Sequence, residues 1–331
     1  MATLSKSRAV EQEVPMESAE PHSRPFDALM DMGEIADLVE VCFADTLDEG
    51  GRRYLQRMHW LAEQPVMIRR MRASIDWVNA PTTGYVWQQD GKLVGNVSLI
   101  PYFVHGKRFF LIANVAVHPD YRRQGIARSL TERAIEHARR RRVSSIWLHV
   151  REENDAAISL YRSQGFSERA RRTHWVSLPD YTPALPVKGL TFRKPRASDW
   201  EAQHAWLLGS YPAQVTWHLP FSLQALRPGL LGLFYRLFIS AYVEQWAAYH
   251  NNHMLGTVAW QALQRRENFL WLAAPLDADE VAMHALLVHA RRHAPSQRPL
   301  MLDYPAGQFT RAIQEAGFWA QQTLIWMEMH L

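Results

Sequence analysis

The sequence predicts a mixed α/β fold of the α+β kind, built twice in tandem along 331 residues. Three observations lead there. Windows with apolar residues at every second position alternate with windows where they recur every three to four. The order of these windows in the first half returns in the second. Between the halves lies LPDYTPALPV, 178–187, whose three prolines disfavour both helix and regular strand pairing. It reads as a linker between a domain at 24–177 and another at 188–331.

Residues 1–23 are polar, with Glu, Ser and Pro and no apolar run, and read as a disordered tail without a secretory signal. Helical spacing covers 32–43 and returns over 54–77, with a break expected at Pro65. The period then changes to two. Segments 85–88 and 93–100 read as strands joined by a turn at Asp90-Gly91. A third strand, 109–117, is stopped by Pro119. A long helix follows over 125–142, with Ile126, Leu130, Ala134, Ile135 and Ala138 on one stripe. Strand 143–150, helix 155–163 closed by Gly165, and strand 171–177 complete the half.

The second half opens with a strand at 190–194, and Ser198 with Glu201 makes a capping-box signature for the next helix. Segments 246–250 and 254–262 form a hairpin across Asn251-Asn252. Ala138-Arg139-Arg140 recurs as Ala290-Arg291-Arg292, 152 positions on. At that offset Leu148 meets Leu300, and Gly165-Phe166 meets Gly317-Phe318, with no gap. Three matches in register point to duplication. The most lipid-like stretch, 228–242, is shorter than the ~20 residues of a spanning helix and is interrupted by Arg236. It reads as a buried or interface helix.

Composition narrows the function. Charged residues make up 21%, apolar residues 47%, and the formal net charge is +4, as in an ordinary globular protein with a mildly basic surface. That suits a polyanionic small ligand and is too weak a signal for nucleic acid. The run Arg139 to Arg142 ends a helix, where cations offset the dipole. The single cysteine, Cys42, excludes an intrachain disulfide and sits in an apolar helical pattern, so it reads as core. His289 and His293 lie four apart on a helix with no third ligand in view, so no metal is expected. The 13 tryptophans mark either a rich core or an aromatic-lined cleft.

The chemistry concentrates where strand 111–117 runs into His118-Pro119-Asp120-Tyr121 and then Arg122-Arg123-Gln124-Gly125-Ile126-Ala127. A helix starting near Gly125 exposes its first N–H groups and the positive end of its dipole. Gly125 and Ala127 have almost no side chain, so a phosphate can approach the backbone. Arg122 and Arg123 add charge. A diphosphate fits better than a carboxylate, and a plain turn before a helix is the competing reading. After the next strand comes Asn154-Asp155-Ala156-Ala157-Ile158-Ser159-Leu160-Tyr161, ending at Gly165-Phe166.

Together these segments resemble the GNAT superfamily of acyl-CoA N-acyltransferases. Arg122, Gly125 and Ala127 match its pyrophosphate loop, Val115-Ala116-Val117-His118-Pro119 match the lead-in, and Asn154, Ala157, Leu160, Tyr161, Gly165 and Phe166 match the second element. The resemblance covers 24–177, most strongly 112–166. It implies, for each half, a twisted and mostly antiparallel sheet flanked by helices. It implies acetyl-CoA as acyl donor and a primary amine, small molecule or peptide, as acceptor. Val115, Ala116 and Val117 would offer backbone groups to the pantetheine arm and thioester. The N–H groups of Arg123, Gln124, Gly125, Ile126, Ala127 and the neighbouring Arg128 would hold the pyrophosphate. Asn154 would bond the pantetheine amides, beside Ala157. Tyr161 would protonate the departing thiolate, since a phenol keeps its proton at neutral pH. The competing reading of Tyr161 is a core aromatic. The general base is open: His149 borders the implied cleft, with Glu153 and His118 as further candidates. Asp45, Asp48 and Glu49 would either read a cationic acceptor or form a solvated loop. A cytoplasmic monomer or homodimer without nucleic-acid or membrane partners is expected.

The second half has lost the motif. At the offset of 152, Asn154 maps to Ala306 and Tyr161 to Ile313. The counterpart loop, after strand 269–273 and Ala274-Pro275, reads Leu276-Asp277-Ala278-Asp279-Glu280-Val281, without arginine or glycine and with three acids. Those acids repel a diphosphate. The second half is therefore expected to wall the acceptor cleft, or else to bind a regulator. Two functions compete for the whole chain: an acetyltransferase with one active domain, and an acyl-CoA-sensing module that does not need Tyr161.

Overall fold

Two hairpins built alike carry the repeat into three dimensions. Strand β2 (Thr83–Gln89) turns at Asp90-Gly91 into β3 (Lys92–Val104), and β8 (Tyr242–His250) turns at Asn251-Asn252 into β9 (His253–Leu263). All four turn residues have positive φ, between 47° and 74°, the primed-turn geometry that matches strand twist. Trp87 pairs Gly95 and Gln88 pairs Leu93 across a bulge; Ala248 pairs Gly256 and Tyr249 pairs Met254 across another. Every one of these positions recurs 161 residues on.

The structure, a computed structural model, describes residues 22–331 apart from 48, 69–82, 105, 180–188, 218, 220–221, 239–241, 264–266 and 296–297. The tail over 1–21, most of the proline-rich 178–187, Asp48 and the later part of the helix expected over 54–77 lie outside the described residues. The chain divides into two compact units, 1–146 with Leu331, and 147–330.

Unit 1 pairs β1 (Ser23–Pro25), β2, β3 and β4 (Lys107–Val117) antiparallel in that order. Helix α1 (Met32–Phe43) has the bounds its apolar spacing predicts and buries Ile35, Ala36, Leu38 and Val39. Helix α2 (Glu49–Ala62) begins earlier than expected and stops before Pro65. Helix α3 (Ile126–Arg140) buries Ile126, Leu130, Ala134, Ile135 and Ala138, the predicted stripe. It lies close on β3 because Gly95 has no side chain: a Cβ there would come within 2.9 Å of Ile126 and 3.1 Å of Leu130. The division between the units falls inside β5 (Ser145–Arg151).

Unit 2 holds α4 (Asp155–Ser163), β6 (Ser167–Ser177), β7 (Thr191–Arg193), α5 (Trp200–Ser210), α6 (Ala213–Thr216), α7 (Leu223–Leu226), α8 (Gly229–Phe238), β8 and β9. It continues with β10 (Glu267–Ala273), α9 (Glu280–His293), β11 (Met301–Pro305), α10 (Thr310–Glu315) and β12 (Phe318–His330). Its strand order is β5-β12-β6-β11-β10-β9-β8-β7. The last strand of the second half therefore lies between two strands of the first. Compact unit and sequence repeat are different divisions of this chain. Gly256 plays the part of Gly95: a Cβ there would meet Met283 of α9 at 2.6 Å.

Two local expectations differ in unit 2. Before α5 the capping carboxylate is Asp199, which accepts from Arg196 N at 2.8 Å in a short 3₁₀ turn, rather than the Ser198–Glu201 pair. Helix α8 forms within the lipid-like stretch, but Leu230, Phe234 and Leu237 are exposed rather than buried. Among the described residues no helix is long and apolar enough to cross a membrane.

Candidate functional site

The sequence-predicted residues fall in both units: β4 and the loop before α3 in unit 1, and His149, Asn154, Ala157 and Tyr161 in unit 2. In unit 1, Arg122, Arg123, Gln124 and Gly125 are all exposed. Arg123 and Gly125 have φ of 65° and 80°. Gly125 is the N-cap residue of α3, and a Cβ there would meet nothing within 4 Å. Glycine is needed for the left-handed backbone, and the space beside it is open. The first helical bond runs from Ser129 N to Gly125 O at 3.0 Å. The N–H groups before it point out of the helix start. Ile126 anchors the turn in the core while Arg128 stays exposed, and Ala127 O accepts from Thr131 Oγ1 at 2.7 Å. This is an open donor array with a helix dipole and two guanidinium groups, suited to a diphosphate.

Strand β4 delivers the chain to that loop. Val117 O accepts from Arg122 Nε at 3.2 Å and from Cys42 Sγ, also at 3.2 Å. Cys42 is half-buried beside the loop rather than core packing alone, and burial raises its thiol pKa against the opposing pull of Arg122. Upstream, β4 bulges: Asn96 and Ser98 of β3 pair Ala116 and Ala113, so β4 carries one extra residue. Asn114 takes φ of 51° there, a conformation that Asn tolerates better than most residues. Sequence reading missed the bulge; an Asn within an apolar strand was its one signal.

In unit 2, Asn154 is exposed and caps α4, its Oδ1 accepting from Ala157 N at 3.1 Å. Tyr161 is buried on α4 against Phe166, ring centroids 6.0 Å apart, and burial pushes its phenol well above the ordinary range. The proton is firmly held and less readily released. The His149 ring lies tilted against Trp326, centroids 3.6 Å apart, and 6.4 Å from Trp217. Desolvation pulls it down to about 3, so it is neutral at physiological pH and a weak proton acceptor.

The other expected residues are mostly peripheral. His118 caps the 3₁₀ turn Pro119–Tyr121, accepting from Asp120 N at 3.4 Å. Glu153 and Asp45 are exposed. His289 and His293 stack at 4.0 Å, with His293 Nδ1 2.8 Å from His289 O, a packing arrangement. Elsewhere, Asp37 and Glu40 of α1 and His59 of α2 bring donor atoms within 4.8 Å of one another at the surface.

The family model described as Acetyltransferase (GNAT) family matches residues 52–166, which include the loop and both motif elements. Residues 52–166 belong to the GNAT family. Over 67 residues the chain is 46% identical to the ribosomal protein bS18 alanine N-acetyltransferase of Escherichia coli K12, covering 20% of this chain and 45% of that protein. A mycothiol acetyltransferase of Geodermatophilus obscurus is 34% identical over 61 residues, 18% of this chain and 20% of that one. The chain thus spans less than half the length of these curated relatives. A GCN5-related N-acetyltransferase structure from Sphaerobacter thermophilus superposes over 93% of this chain and 95% of its own, with TM-score 0.54 and 16% identity, a likeness of fold.

The counterpart of the GNAT loop in the second half is closed by its own side chains. Asp279 caps α9, its Oδ1 accepting from Val281 N at 2.9 Å. Glu280 accepts from Ala312 N at 2.9 Å, so a carboxylate also sits at the start of α10. Strands β10 and β11 pair in parallel only at Phe269–Met301 and Leu270–Leu302. Beyond that pairing, Leu272 N donates to the phenol of Tyr211 at 3.1 Å. Leu272 pairs Val258, which stands 161 positions after Val97, the β3 residue opposite the bulge of β4. Tyr211 is fully buried, edge-on to Trp271, with the Arg172 guanidinium 5.3 Å from its ring. Arg172 pairs with Asp303 and donates to Ser210 O at 2.8 Å. Ile313, the counterpart of Tyr161, is buried and apolar.

Proposed function

We propose that the chain is an acetyl-CoA-dependent N-acetyltransferase. It moves an acetyl group to a primary amine by direct attack in a ternary complex, with the first half active and the second structural. The observation that carries this reading is the open helix start at Gly125, with Arg122 and Arg123 beside it, inside the segment that matches the family. Backbone groups of Val115 to Val117 meet the pantetheine arm, the N–H groups of 123–128 hold the pyrophosphate, and Asn154 and Ala157 border the arm. Tyr161 is the acid for the departing thiolate. Burial keeps the phenol protonated, the form an acid starts from, and makes that proton harder to give up. His149 is the weaker of the two catalytic candidates because desolvation opposes its protonation. The amine's proton then leaves through solvent or the acceptor's own contacts.

The acceptor is an amine of a small molecule or of a peptide. The ribosomal-protein alanine acetyltransferases among the relatives favour testing a protein α-amino group first, although the match covers less than half of them. The deciding experiment is acetyl-CoA-dependent thiol release across a panel of small amines and N-terminal peptides, with a thermal shift by acetyl-CoA. Turnover on a member of the panel supports the enzyme. Stabilisation without turnover on any amine favours an acyl-CoA sensor, a reading encouraged by how tightly Tyr161 holds its proton. No stabilisation by acetyl-CoA sinks both.

A further inference from the structure

The bulge of β4 is held by two side chains outside the motifs that place the chain in its family. Asn114 donates from Nδ2 to the Tyr54 hydroxyl of α2 at 2.7 Å. The carbonyl of Asn114 accepts from Asn96 Nδ2 at 2.9 Å. Side chain and main chain of the left-handed residue are thus gripped from two elements. Asn96 is fully buried and also donates to Ser98 Oγ at 3.2 Å, yet its Oδ1 has no hydrogen-bond partner among the described residues. An unsatisfied buried carbonyl oxygen costs stability. Turning the amide over would set Oδ1 against Asn114 O, acceptor to acceptor, so the bulge fixes its orientation. Backbone held in a sparsely populated conformation at such expense is characteristic of functional sites.

We infer that Tyr54 and Asn96 are positioning residues for acyl transfer, clamping Asn114 so that the backbone groups of Val115 and Ala116 face the thioester in a fixed direction. The inference rests on the acetyl transfer proposed above. It assigns these two residues no contact with substrate. Their effect falls on the geometry in which the acyl group is held, hence on the chemical step rather than on cofactor affinity.

The test is a double-mutant cycle of Tyr54→Phe and Asn114→Gly in the full chain. Tyr54→Phe keeps the ring and removes only the hydroxyl that Asn114 grips, and Asn114→Gly tolerates positive φ. Each single variant is expected to lower kcat about five- to tenfold, the size of one positional hydrogen bond, with acetyl-CoA Kd by calorimetry changed less than about twofold. The double variant should be no worse than either single one. Amide exchange over 113–116 should rise in both. Asn96→Ser, which shortens the reach to Asn114 O, is a second route to the same loss. A lower Tm with kcat unchanged, additive losses in the cycle, or a change confined to the acceptor KM would each overturn the clamp. If the unaltered chain acetylates no amine, the proposed function fails. The exchange measurement then still decides whether the clamp exists, and unchanged exchange over 113–116 refutes it.

Discussion

The starts of α3 and α9 follow equivalent strands and differ in what meets their N–H groups. At α3 the residue before the helix is Gly125, left-handed, with open space beside it and two arginines just upstream. At α9 it is Asp279, whose carboxylate already accepts a backbone N–H, followed by Glu280 turned to the start of α10. The strands behind them differ in the same sense: the N–H of Leu272, which lies where the first half has the bulge of β4, is taken by the Tyr211 phenol. Helix, hairpin and close-packing glycine are kept in both halves. A helix start open to an anion is thus a matter of which donors a fold leaves unsatisfied, and a few side chains are enough to close it.

The comparison breaks most sharply if the first loop is given the second loop's chemistry. Gly125→Asp adds a Cβ at φ of 80° and a carboxylate at the helix start. Strain of roughly 1–2 kcal/mol and a charge term of similar size should weaken acetyl-CoA binding roughly 10²–10³-fold. Titration calorimetry reads this directly, and affinity within a few-fold of the original would show that the loop does not hold the cofactor. The next effect lies on Tyr161, which meets Ile313 at the offset of 152. Tyr161→Phe should lower kcat about 10²-fold while acetyl-CoA affinity holds. Full activity in that variant would remove Tyr161 from the chemistry.

Acid tests what the halves share. His137 on α3 and His289 on α9 occupy equivalent positions, 152 apart, and desolvation holds both down to about 4. The folded chain keeps them neutral, whereas the unfolded chain protonates them near 6.5. Between those values the unfolded state binds more protons, so stability falls as pH drops from 6.5 toward 4. Scanning calorimetry should show Tm decreasing by several degrees across that window, and a flat Tm would contradict the burial of these rings. The smallest effect belongs to the closed helix start. Asp279→Ala removes a cap, costing about 1 kcal/mol. It should bring no second cofactor site by calorimetry, because Tyr211 still holds Leu272 N and the loop 276–281 itself carries no arginine. A second bound acetyl-CoA would mean that the acids alone close the second half.

Much of this was legible in the sequence because it is local. The bounds of α1 and α4 follow from apolar spacing and, for α4, from the Asn154 cap and Gly165. The turn residues Asp90-Gly91 and Asn251-Asn252 specify both hairpins. The loop 122–127 announces itself because a helix start open to an anion calls for glycine and cations within a few positions. What was not legible depends on partners far away in the chain. The plug on Leu272 comes from Tyr211, on a helix end 61 positions earlier, and no spacing rule connects them. The bulge at Asn114 needs Tyr54 and Asn96, two residues that read separately as a helix position and a strand position. The exposed face of α8 shows the limit from the other side: an apolar stripe predicts burial, but whether anything covers it is decided elsewhere.

The place of β12 between β5 and β6 bears on how the chain is made. β5 and β6 flank the motif helix α4, and both pair with β12, whose residues are made well after theirs. Until β12 has emerged, the strands on either side of the motif helix wait with open edges. The first half therefore cannot finish as an independent folding event during synthesis. A fragment ending at 177 should be prone to aggregate through those edges. The second half lacks the open loop of the first, yet its strand β12 pairs with both β5 and β6.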